Sequence, residues 1–267
     1  MDSKYRELKH KIASYQKLIV AYSGGVDSTF LLKVAYDVLG DNAKGVMFQT
    51  PYMPEKEVDE ALFVAGEIGI TCELIDVPWN EMLRNNPQNR CYVCKQTLFS
   101  LLVDDAKAEG FLYVADGSNT DDLQEYRPGR KALCELGIQT PLADVGLGKN
   151  EIRSLSKALQ LPTWDKPSKA CLLTRFPYET TVQEEALRRV DAAEAYLTEM
   201  GYPQMRVRLE ENNARIELPQ ASKNTFLNDA RLEAMCRYFK ELGFLHVCLD
   251  LESYRHDSID ESITHGA

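Results

Sequence analysis

"VAYSGGVDSTFLLKVA", residues 20–35, places two glycines, two serines and an aspartate where an apolar run gives way to a helical pattern. The run at 18–22 is rich in β-formers and predicts a strand, whereas the apolar residues at 28–39 recur at helical spacing. The stretch therefore predicts a strand, a glycine turn and a helix in direct succession.

The glycine turn is consistent with two interpretations. Gly24 and Gly25 can adopt backbone conformations closed to other residues, and they leave room for a ligand against the peptide N–H groups. With the unpaired donors and positive dipole end of the following helix, they predict an anion site at the carboxyl end of the first strand. The alternative is a plain turn in which Asp27 or Ser28 caps the helix.

The same strand and helix rhythm continues along the chain. Strands are predicted at 44–50, 71–77 and 111–116, and helices at 54–69 and 95–109. The segment 135–162 adds a short strand and a helix. Strands alternating with helices predict an α/β fold, a doubly wound parallel sheet covered on both faces. We assign this domain, with a proline-rich connector at its end, to residues 1–177.

Beyond the connector the order of elements changes. It predicts a helix at 182–200, hairpin strands at 204–210 and 214–219, a helix at 225–242, a strand at 244–251 and a frayed tail at 256–267. We assign residues 178–267 to a second, smaller α+β domain that binds substrate or mediates oligomerisation.

Composition narrows the class of protein. The chain has 267 residues, is 44 % hydrophobic and carries a net charge of −10, so its surface as a whole repels a nucleic acid. No segment approaches the ~20 apolar residues of a membrane span, and the first residues lack a signal-peptide pattern. Seven cysteines without an export signal favour thiols or metal ligands over disulfides. We expect a cytoplasmic protein that does not bind membranes.

Two standard nucleotide motifs do not fit the glycine turn. It lacks the lysine of the G-x-x-x-x-G-K-[ST] motif and the spacing of G-x-G-x-x-G. Instead, SGGxDS at 23–28 resembles the pyrophosphate loop of ATP enzymes that adenylylate a substrate oxygen. The resemblance implies that Ser23, Gly24, Gly25 and Ser28 hold the departing pyrophosphate, and that Asp27 helps to place Mg²⁺.

The resemblance extends to three further stretches, which are "NRCYVCK" at 89–95, the segment 116–178 beginning "DGSNTDD", and "MRVRLEENNARIEL" at 205–218. Together they resemble the LarE-type ATP-dependent sulfur transferases. Members of that family activate a carboxylate of pyridinium-3,5-biscarboxylic acid mononucleotide with ATP and replace an oxygen by sulfur, in biosynthesis of the nickel-pincer nucleotide cofactor.

The resemblance also assigns roles to single residues. It implies that Gly117 and Arg127 bind ATP, that Arg175 binds substrate, and that Glu194 is a catalytic residue, although the spacing of Glu194 alone indicates an exposed position. Two further cations, Arg130 and Lys149, are equally consistent with solvated surface residues.

Arg206 and Arg208 alternate on a predicted strand, so both guanidinium groups project to one face. A pair of arginines on one face suits a phosphate. The alternative is a cross-strand ion pair on the partner strand, which carries Arg215 and Glu217. In the family the matching arginines bind the substrate phosphate.

Cys91 and Cys94 form a C-x-x-C pair, and Cys171 stands alone in the connector. Three thiolates are consistent with a zinc site one ligand short, a redox dithiol with a bystander, or three ligands of an iron–sulfur cluster. Some members of the family hold a 4Fe–4S cluster with three cysteines, and others sacrifice the cysteine that matches Cys171. The remaining four, Cys72, Cys134, Cys236 and Cys248, are predicted to be buried structural thiols.

We therefore expect an enzyme that uses ATP, Mg²⁺ and, as the resemblance implies, a 4Fe–4S cluster held by Cys91, Cys94 and Cys171. It would act with sulfide or another sulfur donor on a pyridinium mononucleotide and form a homo-oligomer. Two rivals share parts of the pattern: a tRNA-thiolating enzyme, and an ATP-binding regulatory module without turnover. The acidic composition disfavours the first of them.

Overall fold

The computed structural model describes residues 2–123, 128–167, 170–252 and 254. The helices are α1 (Asp2–Tyr15), α2 (Val26–Leu39), α3 (Glu55–Glu67), α4 (Arg90–Ala108), α5 (Gly129–Glu135), α6 (Pro141–Asp144), α7 (Lys149–Ala158), α8 (Glu184–Glu199), α9 (Gln220–Leu227) and α10 (Leu232–Glu241). The strands are β1 (Leu18–Ala21), β2 (Ala43–Gln49), β3 (Cys72–Asp76), β4 (Tyr113–Ala115), β5 (Arg206–Glu210), β6 (Asn213–Glu217) and β7 (His246–Leu249).

The first sheet is parallel and has the strand order β3-β2-β1-β4. The chain moves outward from β1 through β2 to β3 and then returns to the other side of β1. This reversal makes a crevice between the carboxyl ends of β1 and β4, where ligands bind in open α/β sheets. The doubly wound parallel sheet predicted from the sequence is confirmed.

Alternating residues of β1 build two cores, one on each face of this sheet. Leu18 and Val20 lie in a cluster with buried side chains of α1, α2, α3 and α7, whereas Ile19 lies in a second cluster with those of α4 and α5. Successive side chains of a strand point to opposite faces, so an apolar run such as β1 is expected when helices cover both.

The second sheet has the order β5-β6-β7. Strands β5 and β6 form the predicted antiparallel hairpin, with Arg206 opposite Glu217 and Arg208 opposite Arg215, and β7 pairs with β6 in parallel. Buried Val207, Ile216 and Phe239 belong to the core beside this sheet.

The chain divides into two compact units. The first comprises residues 1–83 and 89–169, and the second comprises residues 84–88 and 170–267. Residues 84–88 join the second unit because buried Asn86 donates through Nδ2 to the carbonyl oxygens of Phe176 and Pro177 at 3.0 and 2.9 Å. The domain boundary at 177/178 stays a prediction.

Helices α1 and α5 were not predicted from the sequence, and three predicted elements differ in the structure. Helix α4 begins at Arg90, five residues before the predicted start, so Cys91 and Cys94 lie in its first two turns. The helix predicted at 225–242 is two helices, because Asp229 accepts from the backbone N–H of Arg231 and forms a turn between them. The short strand near residue 139 is only an isolated bridge between Ala115 and Gln139.

The predicted tail at 256–267 lies outside the described residues. Within the described ranges, no helix combines the length and apolar character needed to cross a membrane.

Candidate active site

The turn between β1 and α2 adopts a conformation that requires its first glycine. Gly24 has φ +69°, and a Cβ built there would lie 2.3 Å from Cβ of Ala61. Gly25 is the N-cap residue of α2 and supplies no side-chain cap, so the first N–H groups of the helix lack that partner. The Ser23 and Ser28 hydroxyls lie 3.0 Å apart across the turn. This arrangement can bind an anion through backbone N–H and hydroxyl groups.

The loop after β4 packs directly against this turn. A Cβ at Gly117 would lie 2.9 Å from the backbone nitrogen of Ser28, so only glycine allows the two loops to approach so closely. Asp116 shapes the loop by accepting from the Ser118 N–H at 2.8 Å and from Lys95 Nζ at 3.1 Å. Burial raises the pKa of Asp116, but the charge of Lys95 and the bonds from Ser118 outweigh it, and the net pKa is lowered.

Asp27 lies in the first turn of α2 beside that loop. Its Oδ2 accepts from Asn119 Nδ2 at 3.3 Å, while its Oδ1 is buried and has no hydrogen-bond partner among the described residues. Burial raises the pKa of Asp27 from 3.8 to about 6, against the lowering effect of the Lys149 charge. A buried carboxylate oxygen without a donor fits a hard cation such as Mg²⁺, which prefers oxygen ligands.

Two cations near the turn were missed in the sequence. Lys166 donates from Nζ to the carbonyl oxygen of Gly24 at 3.2 Å. Arg153 of α7 donates to the carbonyls of Trp164 and Lys166 at 3.0 and 2.8 Å, which fixes the Lys166 backbone. The only signal was that Lys166 stands in the aperiodic segment that follows α7.

Lys149 and Arg130 occupy different surroundings. Lys149 begins α7, where its N–H donates to Asp121 Oδ2 at 2.7 Å, and its charge lowers the pKa of Asp27. Arg130 donates to the carbonyl oxygen of Leu123 at 3.2 Å. Arg127 lies outside the described residues.

Cys91 and Cys94 lie three residues apart near the start of α4, so they share a face of the helix. Cys91 is exposed and Cys94 is half-buried, with its Sγ 3.5 Å from the Tyr52 hydroxyl. In the second unit, Cys171 is half-buried and precedes the 3₁₀ turn Leu172–Arg175.

The predicted burial of the other cysteines is wrong for Cys134 and Cys248, which are exposed, whereas Cys72 and Cys236 are half-buried. Cys134 lies in the short helix α5, and Cys248 lies on β7 at the edge of its sheet. A short helix and an edge strand each bury only one side. An apolar pattern of four to seven residues does not show which side a cysteine faces.

Arg175 and Glu194 form a buried pair within the second unit. Nε and Nη2 of Arg175 donate to the two carboxylate oxygens of Glu194, each at 2.8 Å, and Arg175 is 2 % exposed. Nη1 of Arg175 donates to the carbonyls of Ala170 and Cys171 at 2.9 and 3.3 Å. Glu194 also accepts from the Val207 N–H at 2.9 Å. The expectation of an exposed Glu194 from spacing alone is wrong, because α8 packs this face against β5.

The two strand arginines have different partners, although both are buried. Arg208 donates to both oxygens of Glu217 at 2.8 and 3.1 Å and also to the carbonyl oxygen of Thr174. Arg206 donates from Nη1 to the carbonyl of Met205 at 2.8 Å, and within the described part of the chain its Nη2 has no partner. Burial lowers the pKa of Arg206, and the charge of Arg175 lowers it further.

A glycine turn at the switch point of a parallel sheet, with an aspartate in the first turn of the following helix, is the arrangement of nucleotide-binding α/β proteins. The sequence model of the NAD synthase family matches residues 4–96, which contain this turn.

Comparison with curated proteins extends over the whole chain. An uncharacterized protein of Synechocystis is 44 % identical, with 99 % of each chain covered. The pyridinium-3,5-bisthiocarboxylic acid mononucleotide synthase of Lactiplantibacillus plantarum is 36 % identical over 99 % of this chain and 96 % of its own length. An uncharacterized protein of Methanocaldococcus jannaschii is 33 % identical over 93 % of this chain and 94 % of its own. The chain belongs to the LarE-type family of ATP-dependent sulfur transferases.

Proposed function

We propose that the chain uses ATP to adenylylate a carboxylate of pyridinium-3,5-biscarboxylic acid mononucleotide, releases pyrophosphate, and then forms the thiocarboxylate. Oxide is too poor a leaving group for direct displacement from a carboxylate, whereas an acyl adenylate loses AMP when a sulfur nucleophile attacks the acyl carbon. The single observation that carries the proposal is the turn at 23–28, in which Asp27 Oδ1 is buried and has no hydrogen-bond partner among the described residues.

The first unit provides the groups for activation. The backbone of Gly24 and Gly25 and the hydroxyls of Ser23 and Ser28 would bind the pyrophosphate, as the geometry of the turn supports. Asp27 would hold Mg²⁺, which neutralises charge on the phosphates when it is bound. Gly117 would allow the loop after β4 to lie close to the backbone of the turn, and Arg127 remains an ATP ligand by family resemblance alone.

In the second unit, we assign the substrate phosphate to Arg206. Its Nη2, which has no partner among the described residues, supports this role, whereas Arg208 already donates to the Glu217 carboxylate. The nitrogen atoms of Arg175 donate to Glu194 and to the carbonyls of Ala170 and Cys171. We therefore assign Arg175 and Glu194 the role of positioning Cys171, in place of direct substrate contact.

Sulfur can reach the adenylate by two routes. In one, hydrosulfide attacks the acyl carbon and AMP leaves. In the other, Cys171 Sγ attacks, AMP leaves, and loss of the Cys171 α-proton breaks the Cβ–Sγ bond, giving the thiocarboxylate and dehydroalanine. The shared helix face of Cys91 and Cys94 fits two thiolate ligands of a 4Fe–4S cluster, which would supply bound sulfide. Cys171 as the third ligand is an assignment from family resemblance.

Replacement of Cys91 or Cys94 by Ala is expected to remove most of the iron from anaerobically reconstituted protein, because a cluster with fewer thiolate ligands is poorly held. Iron and sulfide analysis measures the loss. Cys134→Ala, which removes an exposed cysteine from α5 of the same unit, is the matched control and should retain the iron. Full iron content in Cys94→Ala would contradict the cluster assignment.

The mass of Cys171 after turnover separates the two sulfur routes. With sulfide present, the cluster route predicts repeated turnover and an unchanged Cys171. The sacrificial route predicts one sulfur per chain and dehydroalanine at position 171.

The product tests the proposed function. Incubation of the purified chain with ATP, Mg²⁺, sulfide and the pyridinium mononucleotide is expected to give a product in which one oxygen is replaced by sulfur, detected by mass spectrometry. Thiolated tRNA under the same conditions, with no change in the mononucleotide, would favour the tRNA-thiolating alternative. ATP binding without any new product would favour a regulatory module. We also propose that the chain is cytoplasmic and that it forms a homo-oligomer. Light scattering tests the oligomeric state.

A further inference from the structure

Arg206 is the buried guanidinium of the second unit whose charge no carboxylate pairs with among the described residues. It is 7 % exposed, and Arg175 and Arg208 nearby each make two hydrogen bonds to a glutamate. An unpaired buried cation is costly unless another group compensates for it. Besides the longer-range charge of Glu194, the group that compensates for the Arg206 charge is an aromatic ring.

That ring belongs to a short segment at the end of the described chain. Residues 250–252 and 254, here called the strap, follow β7. The strap is bound to β6 by the Asp250 N–H, which donates to Ile216 O at 2.8 Å, and to the residue after β6 by the Tyr254 N–H, which donates to Leu218 O at 3.0 Å. Buried Lys223 of α9 donates from Nζ to the carbonyls of residues 251 and 252, each at 2.6 Å.

The strap places Tyr254 beside Arg206. The Arg206 guanidinium carbon lies 5.0 Å from the centre of the Tyr254 ring. A guanidinium over an aromatic face is attracted by the ring quadrupole, and the attraction is stronger where water is excluded. The ring covers one face of the planar guanidinium, and the guanidinium donates hydrogen bonds from its edge. At that edge Nη2 has no partner among the described residues and can donate to an anion.

We propose that Tyr254 is a positioning residue for the anion-binding site at Arg206: its ring orients the guanidinium so that Nη2 can donate to a phosphate oxygen of the mononucleotide. The proposal rests on the proposed function, which assigns Arg206 to that phosphate, and it deepens that assignment by naming the group that holds the arginine. Glu194 pairs with Arg175, and Glu217 pairs with both Arg208 and Arg215, so among the described residues neither glutamate forms an ion pair with Arg206, which suits an anionic ligand.

Titration of the full chain with inorganic phosphate, followed by calorimetry, tests the proposal. Tyr254→Leu, which removes the π face at similar volume, is expected to weaken phosphate binding about tenfold, and Tyr254→Phe is expected to bind as the parent does. In turnover assays, Tyr254→Leu should raise the KM for the mononucleotide with little change in kcat or in the KM for ATP. Tyr238→Leu is the matched control, because it removes a ring of the separate Tyr196–Tyr238 stack in the same unit.

The outcomes distinguish this proposal from the proposed function. If Arg206→Ala abolishes phosphate binding while Tyr254→Leu leaves it unchanged, the role of Tyr254 is overturned and Arg206 keeps its assignment. If Arg206→Ala binds phosphate as the parent does, the assignment of Arg206 itself fails. Equal losses in Tyr254→Phe and Tyr254→Leu would overturn the proposal by assigning the effect to the hydroxyl. Should Tyr254→Leu not fold, Lys223→Met loosens the strap from a distance and is expected to weaken phosphate binding in the same direction; parent-like binding would count against the proposal.

Discussion

Replacement of Asp27 by Asn is expected to abolish formation of AMP and pyrophosphate from ATP while making the folded chain more stable. The activity is lost because a neutral amide is a poor ligand for Mg²⁺. The stability rises because burial raises the pKa of Asp27 from 3.8 to about 6, so the ionised carboxylate costs folding free energy that the amide does not. After discounting for partial exposure, the gain at neutral pH is on the order of 1 kcal/mol.

The pH dependence of this gain follows from the raised pKa. Below the unfolded pKa of 3.8 the carboxyl is protonated in both states and the cost is absent; it grows as pH rises through about 6 and is then fully present. Urea denaturation without nucleotide should therefore give equal unfolding free energies for parent and variant near the lower pKa and a higher value for Asp27→Asn at neutral pH.

The matched control for Asp27 is Asp37→Asn. Asp37 lies on the same helix but is exposed and pairs with Lys33, so its replacement should leave ATP cleavage unchanged. Parent-like pyrophosphate release by Asp27→Asn would remove Asp27 from the metal site. A stability unchanged at every pH would show that its carboxylate is not penalised by burial.

Replacement of Glu194 by Ala is expected to destabilise the second unit by about 3 to 5 kcal/mol, as is typical when one member of a buried ion pair is removed. The variant would leave Arg175 without its carboxylate and the Val207 N–H without its acceptor. Because Arg175 also holds the Cys171 carbonyl, sulfur transfer should fall even where the variant remains folded. Urea denaturation and product formation measure the two effects.

Glu199→Ala on the same helix is the control for Glu194, since Glu199 is exposed and its loss should change stability by less than about 0.5 kcal/mol. A Glu194→Ala variant as stable as Glu199→Ala would contradict the role of the buried pair. Full sulfur transfer by folded Glu194→Ala would contradict its positioning of Cys171.

The sequence was most informative where local chemistry alone dictates structure. Gly24 adopts a positive φ, which glycine favours, so the glycine turn could be predicted before any tertiary contact was known. The continuous apolar run of β1 similarly predicted a strand with both faces covered.

Features that depend on tertiary packing were harder to predict from the sequence. The burial of Glu194 depends on β5, and the different partners of Arg206 and Arg208 depend on Glu217 across the hairpin. Lys166 reaches the glycine turn through an aperiodic segment fixed by Arg153, a contact that no pattern encodes. The division between α9 and α10, by contrast, had a local signal, because Asn and Asp favour turns.

Quantifying the nucleotide products of ATP in a Cys171→Ala variant without added sulfide tests most directly whether the chain adenylylates its substrate before sulfur arrives. AMP and pyrophosphate are expected in equal amounts, formed only when the pyridinium mononucleotide is present, together with an adenylylated mononucleotide trapped in quenched samples. Formation of ADP and phosphate, or of AMP at the same rate without the mononucleotide, would contradict it.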